Sequence, residues 1–388
     1  MKRILIVINN MRLGGIQKSL LEALKVLSKI DEFSIDLFCC NKEGEFFLKI
    51  PEEIKVLPEN KWAKLSELAV NGCRKLGIKY YLFRVIASLW TKLFNKEKPA
   101  RFLCNKIGNL GEYDVAISYS QPISDKAFAV LTNEMVLNCC TAKKKITFVH
   151  CDFEKYGGNT FVNRTLYKKF DIIAAVSNSV GEILKKCIPD IKEKIRTIYN
   201  FCDAEEIVRL ANINPIGYST KTLISVARLS EEKGILRCIP LIAKLHFEGI
   251  KFEWHIVGEG KQADIIRKTI GEYGLQDVVI LEGQHTNPYR YMKNADYLFL
   301  PSFHEAAPIV FDEAIALNLP ILTTETLSAQ ELVAQRNIGF VCKNTLAGIY
   351  EMLHFVLTSE DCAFETITIN NELNLANWET MCCNEEVD

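Results

Sequence analysis

RILIVINNMRLGGIQKSLLEALKVL, residues 3–27, decides the fold class. Arg3 to Ile8 is a nearly unbroken apolar run of strand length, rich in the β-branched residues that pleated strands favour. A loop follows and ends in Gly14-Gly15, and Ile16, Leu20, Leu24 and Leu27 then recur at helical spacing. Strand, tight turn and amphipathic helix, in that order, open a doubly wound α/β unit. Further strands are predicted at 34–38, 115–118, 145–149, 172–176 and 195–198, whereas 41–112 resists parsing.

After residue 198 the chain passes through Tyr199-Asn200-Phe201-Cys202-Asp203 into a polar stretch containing Asn212, Asn214, Pro215 and Gly217, which reads as a domain boundary. Beyond it the alternation is clean. Strands are predicted at 222–227, 252–257, 278–281, 297–300, 320–323 and 339–342, separated by helix-like stretches. Short apolar runs alternating with helices make a parallel sheet buried on both faces. The expectation is an α/β protein with two Rossmann-like doubly wound domains facing a central cleft: 1–205, 206–370, and a last helix within 371–388 on which Leu375, Trp378 and Met381 share a face. Ligands of such sheets bind beyond the carboxyl ends of the strands.

Composition agrees. At about 150 residues per domain, 388 residues make two domains or at most three. Lys and Arg total 47 against 48 Asp and Glu, so no general basic field holds nucleic acid. Hydrophobic residues at 48% and charged residues at 24% exclude a disordered chain. The fourteen cysteines include no CxxC, and the adjacent pairs Cys39-Cys40, Cys139-Cys140 and Cys382-Cys383 suit neither a disulfide framework nor a zinc site. A reducing cytoplasm is expected. The N-terminal apolar run reads as a first strand rather than a signal peptide, and no run of 18 apolar residues spans a membrane.

Chemistry concentrates in the second half. Arg228 and Lys233 follow a predicted strand and lead into a helix, two cations suited to a diphosphate, one a planar fork and one a point charge. The plainer reading is a solvated loop with two surface charges. Glu305 lies after the strand at 297–300, Pro308 is placed to open a helix, and Glu313 falls in its second turn. Free amides at a helix start favour anions, and flanking carboxylates accept hydrogen bonds from sugar and ribose hydroxyls. Here the plainer reading is a loop charge and a helix-surface charge.

Arg228, Lys233 and the Glu305-x7-Glu313 spacing resemble the retaining glycosyltransferases of family 4, which have the GT-B fold. The resemblance extends over most of the chain: the Gly14-Gly15 turn, Ala175-Val-Ser-Asn-Ser-Val180, Tyr199-Asn200 with Asp203, Gly258-Glu-Gly260, and Asn294-Ala-Asp296 before a strand. It implies a nucleotide-sugar donor, uridine-linked by analogy, held by Arg228 and Lys233 at the diphosphate and Glu313 at the ribose. Glu305 would bind the transferred sugar, and Gly14 and Gly15 would close over the donor. The backbone of Ala306, Ala307, Pro308 and Ile309 would face it, and Gly283 lies in the loop that contacts the base. His150 matches a histidine near the donor sugar, with Asp152 close by; a lone histidine is otherwise a core residue. The family commonly has Gly-Phe or Gly-Leu where this chain has Ala306-Ala307, and their Cβ atoms would restrict a left-handed backbone.

No Asp-x-Asp occurs, so no metal clamp and no cofactor are expected. Gly258-Glu-Gly260-Lys-Gln-Ala263 fits a loose dinucleotide pattern but follows the second strand of its domain, not the first. Between Lys79 and Arg101, Arg84, Ser88, Lys92 and Asn95 form a narrow polar stripe on an otherwise apolar, aromatic-rich helix. With Lys79, Lys96, Lys98 and Arg101 alongside, it reads either as a peripheral contact with anionic membrane or as a core helix. The expected function is transfer of a sugar to a glycan, carried on a lipid, at the cytoplasmic face of the plasma membrane. The alternatives are a nucleotide-sugar epimerase of the same fold and a non-catalytic subunit that docks a partner enzyme.

Overall fold

The computed structural model describes residues 1–122, 124–359 and 362–383. The chain divides into two compact units, Met1–Phe201 with Asn371–Asp388, and Cys202–Asn370.

The first unit is built on β1 (Lys2–Ile8), β2 (Phe33–Cys39), β3 (Lys55–Val56), β4 (Glu112–Ser118), β5 (Thr141–Val149), β6 (Ile172–Ala175) and β7 (Ile195–Thr197). They pair in parallel in the order β3-β2-β1-β4-β5-β6-β7. Ile4 to Ile8 of β1 are buried throughout, as a central strand covered on both faces requires. The second unit has β8 (Lys221–Val226), β9 (Phe252–Val257), β10 (Val279–Gly283), β11 (Tyr297–Leu300), β12 (Ile321–Thr324) and β13 (Gly339–Cys342), in the order β10-β9-β8-β11-β12-β13. Both orders step outward one way from the first strand and then restart beside it in the other direction. The loops leaving that central pair therefore turn to opposite sides and open a crevice at β1/β4 and at β8/β11.

Every predicted strand is present, most within two residues at either end; β4 and β5 begin three and four residues earlier than predicted, at Glu112 and Thr141. The unparsed stretch holds β3, the 3₁₀ turns Phe47–Lys49, Ala63–Ser66 and Val70–Leu76, and the helices Ile78–Leu93 and Glu97–Ile107. Three-residue periodicity in short pieces leaves no pattern of the kind that longer helices and strands write. The helix Asn371–Cys383 belongs to the first unit, where Trp378 stacks on Phe148 at 5.2 Å and Asn374 donates to the Asn200 carbonyl at 2.9 Å. Residues 384–388 of that predicted segment lie outside the described residues.

One face of the amphipathic helix packs into the core of the first unit through Tyr80, Phe83 and Ala87, and another is left exposed. Arg84 turns inward, donating from Nε to the Leu68 carbonyl and lying over Phe128, while Ile78, Leu82, Ile86, Leu89 and Leu93 are exposed. The helix ends at Leu93 rather than running on, and Lys96 is buried in an ion pair with Glu134, so it adds nothing to a basic surface. Among the described residues, no helix is long and apolar enough to cross a membrane.

The predicted Gly14-Gly15 turn needs neither glycine. Gly14 is extended, at φ 177°, and a Cβ there would stand 2.6 Å from Gln17 Oε1, the end of a flexible side chain that can turn aside; a Cβ on Gly15 would meet nothing within 4 Å. Gly234 is different: φ is +67°, and a Cβ would stand 2.1 Å from the Pro301 carbonyl oxygen. A left-handed alanine alone costs about 1–2 kcal/mol. Gly234→Ala is expected to lower the urea unfolding midpoint by at least that equivalent while Gly15→Ala leaves it in place; equal midpoints for both variants would contradict the account of Gly234.

Candidate functional site

Two loops leave the crevice of the second unit, residues 227–234 after β8 and 301–308 after β11, from neighbouring strands. Their backbones are tied directly, Phe303 N–H donating to the Glu232 carbonyl at 2.8 Å. Across that tie Lys233 Nζ stands 2.5 Å from Glu305 Oε1, with both side chains largely buried. Ser302 Oγ donates to the same oxygen at 2.7 Å. Both bonds fall on Oε1, which turns Oε2 into the oxygen left to receive another donor.

Arg228 is not drawn into this pair. Its guanidinium is mostly exposed and donates to Glu232 at 3.0 Å. Burial works against the Glu232 carboxylate, yet hydrogen bonds from Ser230, its own amide and Arg228 hold it below the ordinary carboxylate range. Glu313 lies on the helix Ile309–Ala316, only 5% exposed, and accepts from the Tyr289 hydroxyl at 3.3 Å. A helix-surface charge would be exposed, so that plainer reading fails. Pro308 is the residue before the helix rather than its first member, and its carbonyl accepts from Phe311 N–H.

The neighbouring residues find structural reasons. Gly258 and Gly260 bring the loop after β9 against 227–229: Cβ atoms there would stand 1.9 Å from the Ala227 oxygen and 2.3 Å from the Leu229 oxygen. The loose dinucleotide pattern is thus a buttress for the Arg228 loop, with Leu229 N–H donating to the Glu259 carbonyl. Gly283 ends β10 with φ +76° and its carbonyl accepts from Gly258 N–H at 2.7 Å. Neither Ala306 nor Ala307 has a positive φ, so alanine replaces glycine there without backbone strain.

In the first unit the loops after β1, β4 and β5 gather polar side chains that sequence reasoning missed. Glu67 accepts from Asn9, Asn10 and Arg12 at 2.9, 2.7 and 3.2 Å, pinning the loop after β1. Gln121 Oε1 accepts from the amides of His150 and Cys151 at 2.8 and 3.0 Å. No sequence signal marks these residues, because nothing in their spacing shows that distant strands bring them together. The His150 ring lies 4.9 Å from that of Tyr119. Burial pushes its imidazole down to about 4, against a backbone hydrogen bond at Tyr119 that favours the charged form. Asp152 accepts from the amides of Glu154 and Lys155, a turn-forming role.

Residues 209–360, most of the second unit, match the family model described as Glycosyl transferases group 1. Over 208 residues the chain is 28% identical to the N-acetylgalactosamine-N,N'-diacetylbacillosaminyl-diphospho-undecaprenol 4-alpha-N-acetylgalactosaminyltransferase of Campylobacter jejuni, covering 53% of this chain and 55% of that protein. It is 30% identical over 158 residues to the amylovoran biosynthesis glycosyltransferase AmsK of Erwinia amylovora, 36% of this chain and 39% of that one. The chain spans about half the length of the curated relatives it matches. A TarM mutant from S. aureus, solved with Fondaparinux, alpha-GlcNAc-glycerol and UDP, superposes with a TM-score of 0.67 at 12% identity, covering 99% of this chain and 100% of that one. The two parallel-sheet units are those of the GT-B fold, and residues 209–360 of the second are similar to the group 1 glycosyltransferases.

His150 makes a pH signature for its own environment. Its native value lies below the ordinary 6.5, so as pH falls from 6.5 toward 4 the unfolded chain takes up a proton that the folded chain refuses. That contribution to stability is intact above 6.5 and lost on acidification. The drop in unfolding free energy between pH 7 and pH 5 should be smaller in His150→Gln than in the wild type; equal drops would contradict it.

Proposed function

We propose that this protein is a retaining, metal-independent glycosyltransferase that moves a sugar from a UDP-linked donor to a lipid-linked glycan. The observation that carries the reading is the Lys233–Glu305–Ser302 cluster at the β8/β11 crevice. A diphosphate takes up the Lys233 charge, and Arg228, already solvent-facing, exchanges Glu232 for phosphate. Glu305 Oε2 accepts a hydroxyl of the transferred sugar, and Glu313 accepts the ribose hydroxyls. The backbone of Ala306, Ala307, Pro308 and Ile309 adds its amides, Gly283 lies toward the base, and Gly14, Gly15 and His150 serve the sugar substrates from the first unit. Leaving-group charge is met by these cations and the helix start rather than by a metal. The acceptor hydroxyl attacks on the face the diphosphate leaves, through an oxocarbenium-like state, so the anomeric configuration is kept.

The finer choices draw on the relatives. The Campylobacter protein's name specifies an undecaprenol-linked acceptor, AmsK's a polysaccharide, and the TarM structure contains UDP. An epimerase would convert donor without acceptor, and a non-catalytic subunit would consume none. A panel of nucleotide sugars assayed with and without lipid acceptor is expected to give acceptor-dependent donor consumption that EDTA does not inhibit, with retained configuration by proton NMR. Glu305→Ala should abolish transfer, and Arg228→Ala should weaken donor binding by about 1.5–3 kcal/mol, the worth of hydrogen bonds to a charged group. Unchanged turnover in both variants would end the assignment.

The lipid-linked acceptor fits the exposed ridge of Ile78, Leu82, Ile86, Leu89 and Leu93, continued by Phe94 and Phe102. Exposed Lys79, Lys92, Lys98 and Arg101 flank it. We assign this surface, within residues 79–101 and the adjoining Ile78, to peripheral contact with anionic membrane on the cytoplasmic face, each cation near the surface contributing about 1 kcal/mol. The protein should float with liposomes containing acidic lipid, and the double variant Leu82→Glu, Leu89→Glu should not. No association of the wild type with either neutral or acidic liposomes would refute the assignment.

A further inference from the structure

Arg237 lies outside the chemistry assigned above, yet it reaches the loop that carries Glu305. From the first turn of the helix Ile235–Phe247 its Nη2 donates to the Pro301 carbonyl at 2.7 Å and to Asn344 Oδ1 at 2.6 Å, with the Ser302 carbonyl at 3.4 Å. The guanidinium also stacks on Phe303, Cζ lying 3.7 Å from the ring centroid. Asn344, after β13, answers from its other end: Nδ2 donates to the carbonyls of Ser302 at 3.3 Å and Phe303 at 3.1 Å. With Oδ1 facing a donor and Nδ2 facing acceptors, the amide has a single sensible orientation. Thr324 Oγ1 donates to the Ser302 carbonyl as well, at 2.5 Å.

Three successive carbonyls, 301 to 303, are thus gripped by side chains from three separate elements of the second unit. The middle one belongs to Ser302, whose hydroxyl holds Glu305 Oε1 at 2.7 Å. A loop has no ladder of its own to fix a carboxylate. Here the fixation runs from Arg237 and Asn344 to the Ser302 backbone, and from the Ser302 hydroxyl to the carboxylate.

We propose that Arg237 and Asn344 are positioning residues that fix Glu305 for the transferred sugar, and so govern turnover and sugar recognition rather than affinity for the nucleoside diphosphate. The inference rests on the reading of Glu305 as a sugar contact. Lysine in place of Arg237 keeps the charge but loses the planar stack on Phe303 that holds Nη2 against the Pro301 carbonyl and Asn344 Oδ1. A displacement of about 1 Å at a group that must meet a reacting centre costs on the order of 10²-fold in rate.

The test compares Arg237→Lys and Asn344→Ala with the wild type on the donor it turns over fastest, alongside titration of each protein with uridine diphosphate alone. Both variants should lose roughly 10- to 100-fold in kcat while their Kd for uridine diphosphate stays within about twofold of wild type. The double variant should be hardly worse than either single one, as for residues acting as a unit. Wild-type kcat in both variants overturns the proposal, and so does an equal loss of kcat and of uridine diphosphate affinity, which marks a merely structural role. A wild type that turns over no nucleotide sugar overturns the reading of Glu305 itself, and the clamp's role falls with it.

Discussion

The pairing of β8 with β11 is the constraint on which everything else in the second unit rests. The order in which strands join the sheet reverses at this parallel pair, so the loops that leave its carboxyl ends emerge side by side and are tied to one another, Phe303 N–H to the Glu232 carbonyl. A Lys–Glu bond then joins residues 72 positions apart in sequence. Close approach of the loops needs a residue without a side chain at Gly234 and two more, Gly258 and Gly260, where the loop after β9 supports them. Glycine here serves the packing of backbone on backbone rather than the flexibility of a turn.

Electrostatics follow from that geometry. Lys233 and Glu305 neutralise one another, which keeps two largely buried charges from standing alone. Arg228 is held the same way by Glu232, at the exposed edge. Each cation of the two loops thus has a carboxylate companion, Lys233 in a largely buried pair and Arg228 in an exposed one.

Much of this was legible in the sequence. Buried parallel strands write short apolar runs, and all of those predicted are present. Arg228, Lys233, Glu305 and Glu313 stood out at strand ends and a helix start, and the structure pairs Lys233 with Glu305 while Arg228 bonds Glu232 and Glu313 bonds Tyr289. What stayed hidden has physical reasons. Between β2 and Ile78 the chain is built of 3₁₀ turns and the two-residue β3, too short for periodicity. Gln121, Glu67, Arg237 and Asn344 act through backbone groups remote in sequence, and no local pattern records such partners. The amphipathic helix was legible as a pattern but not in its orientation, because a residue such as Arg84, which hydrogen-bonds inward to the Leu68 carbonyl, looks in sequence like one that faces water.

The central claim is that the β8/β11 hollow receives a nucleoside diphosphate. A crystal structure of the protein soaked with uridine diphosphate tests it most directly. The account predicts phosphate oxygens within hydrogen-bond distance of Lys233 Nζ and of the Arg228 guanidinium, with Arg228 released from Glu232. Density for the nucleotide elsewhere, with Lys233 still bound to Glu305 and Arg228 still bound to Glu232, would contradict it.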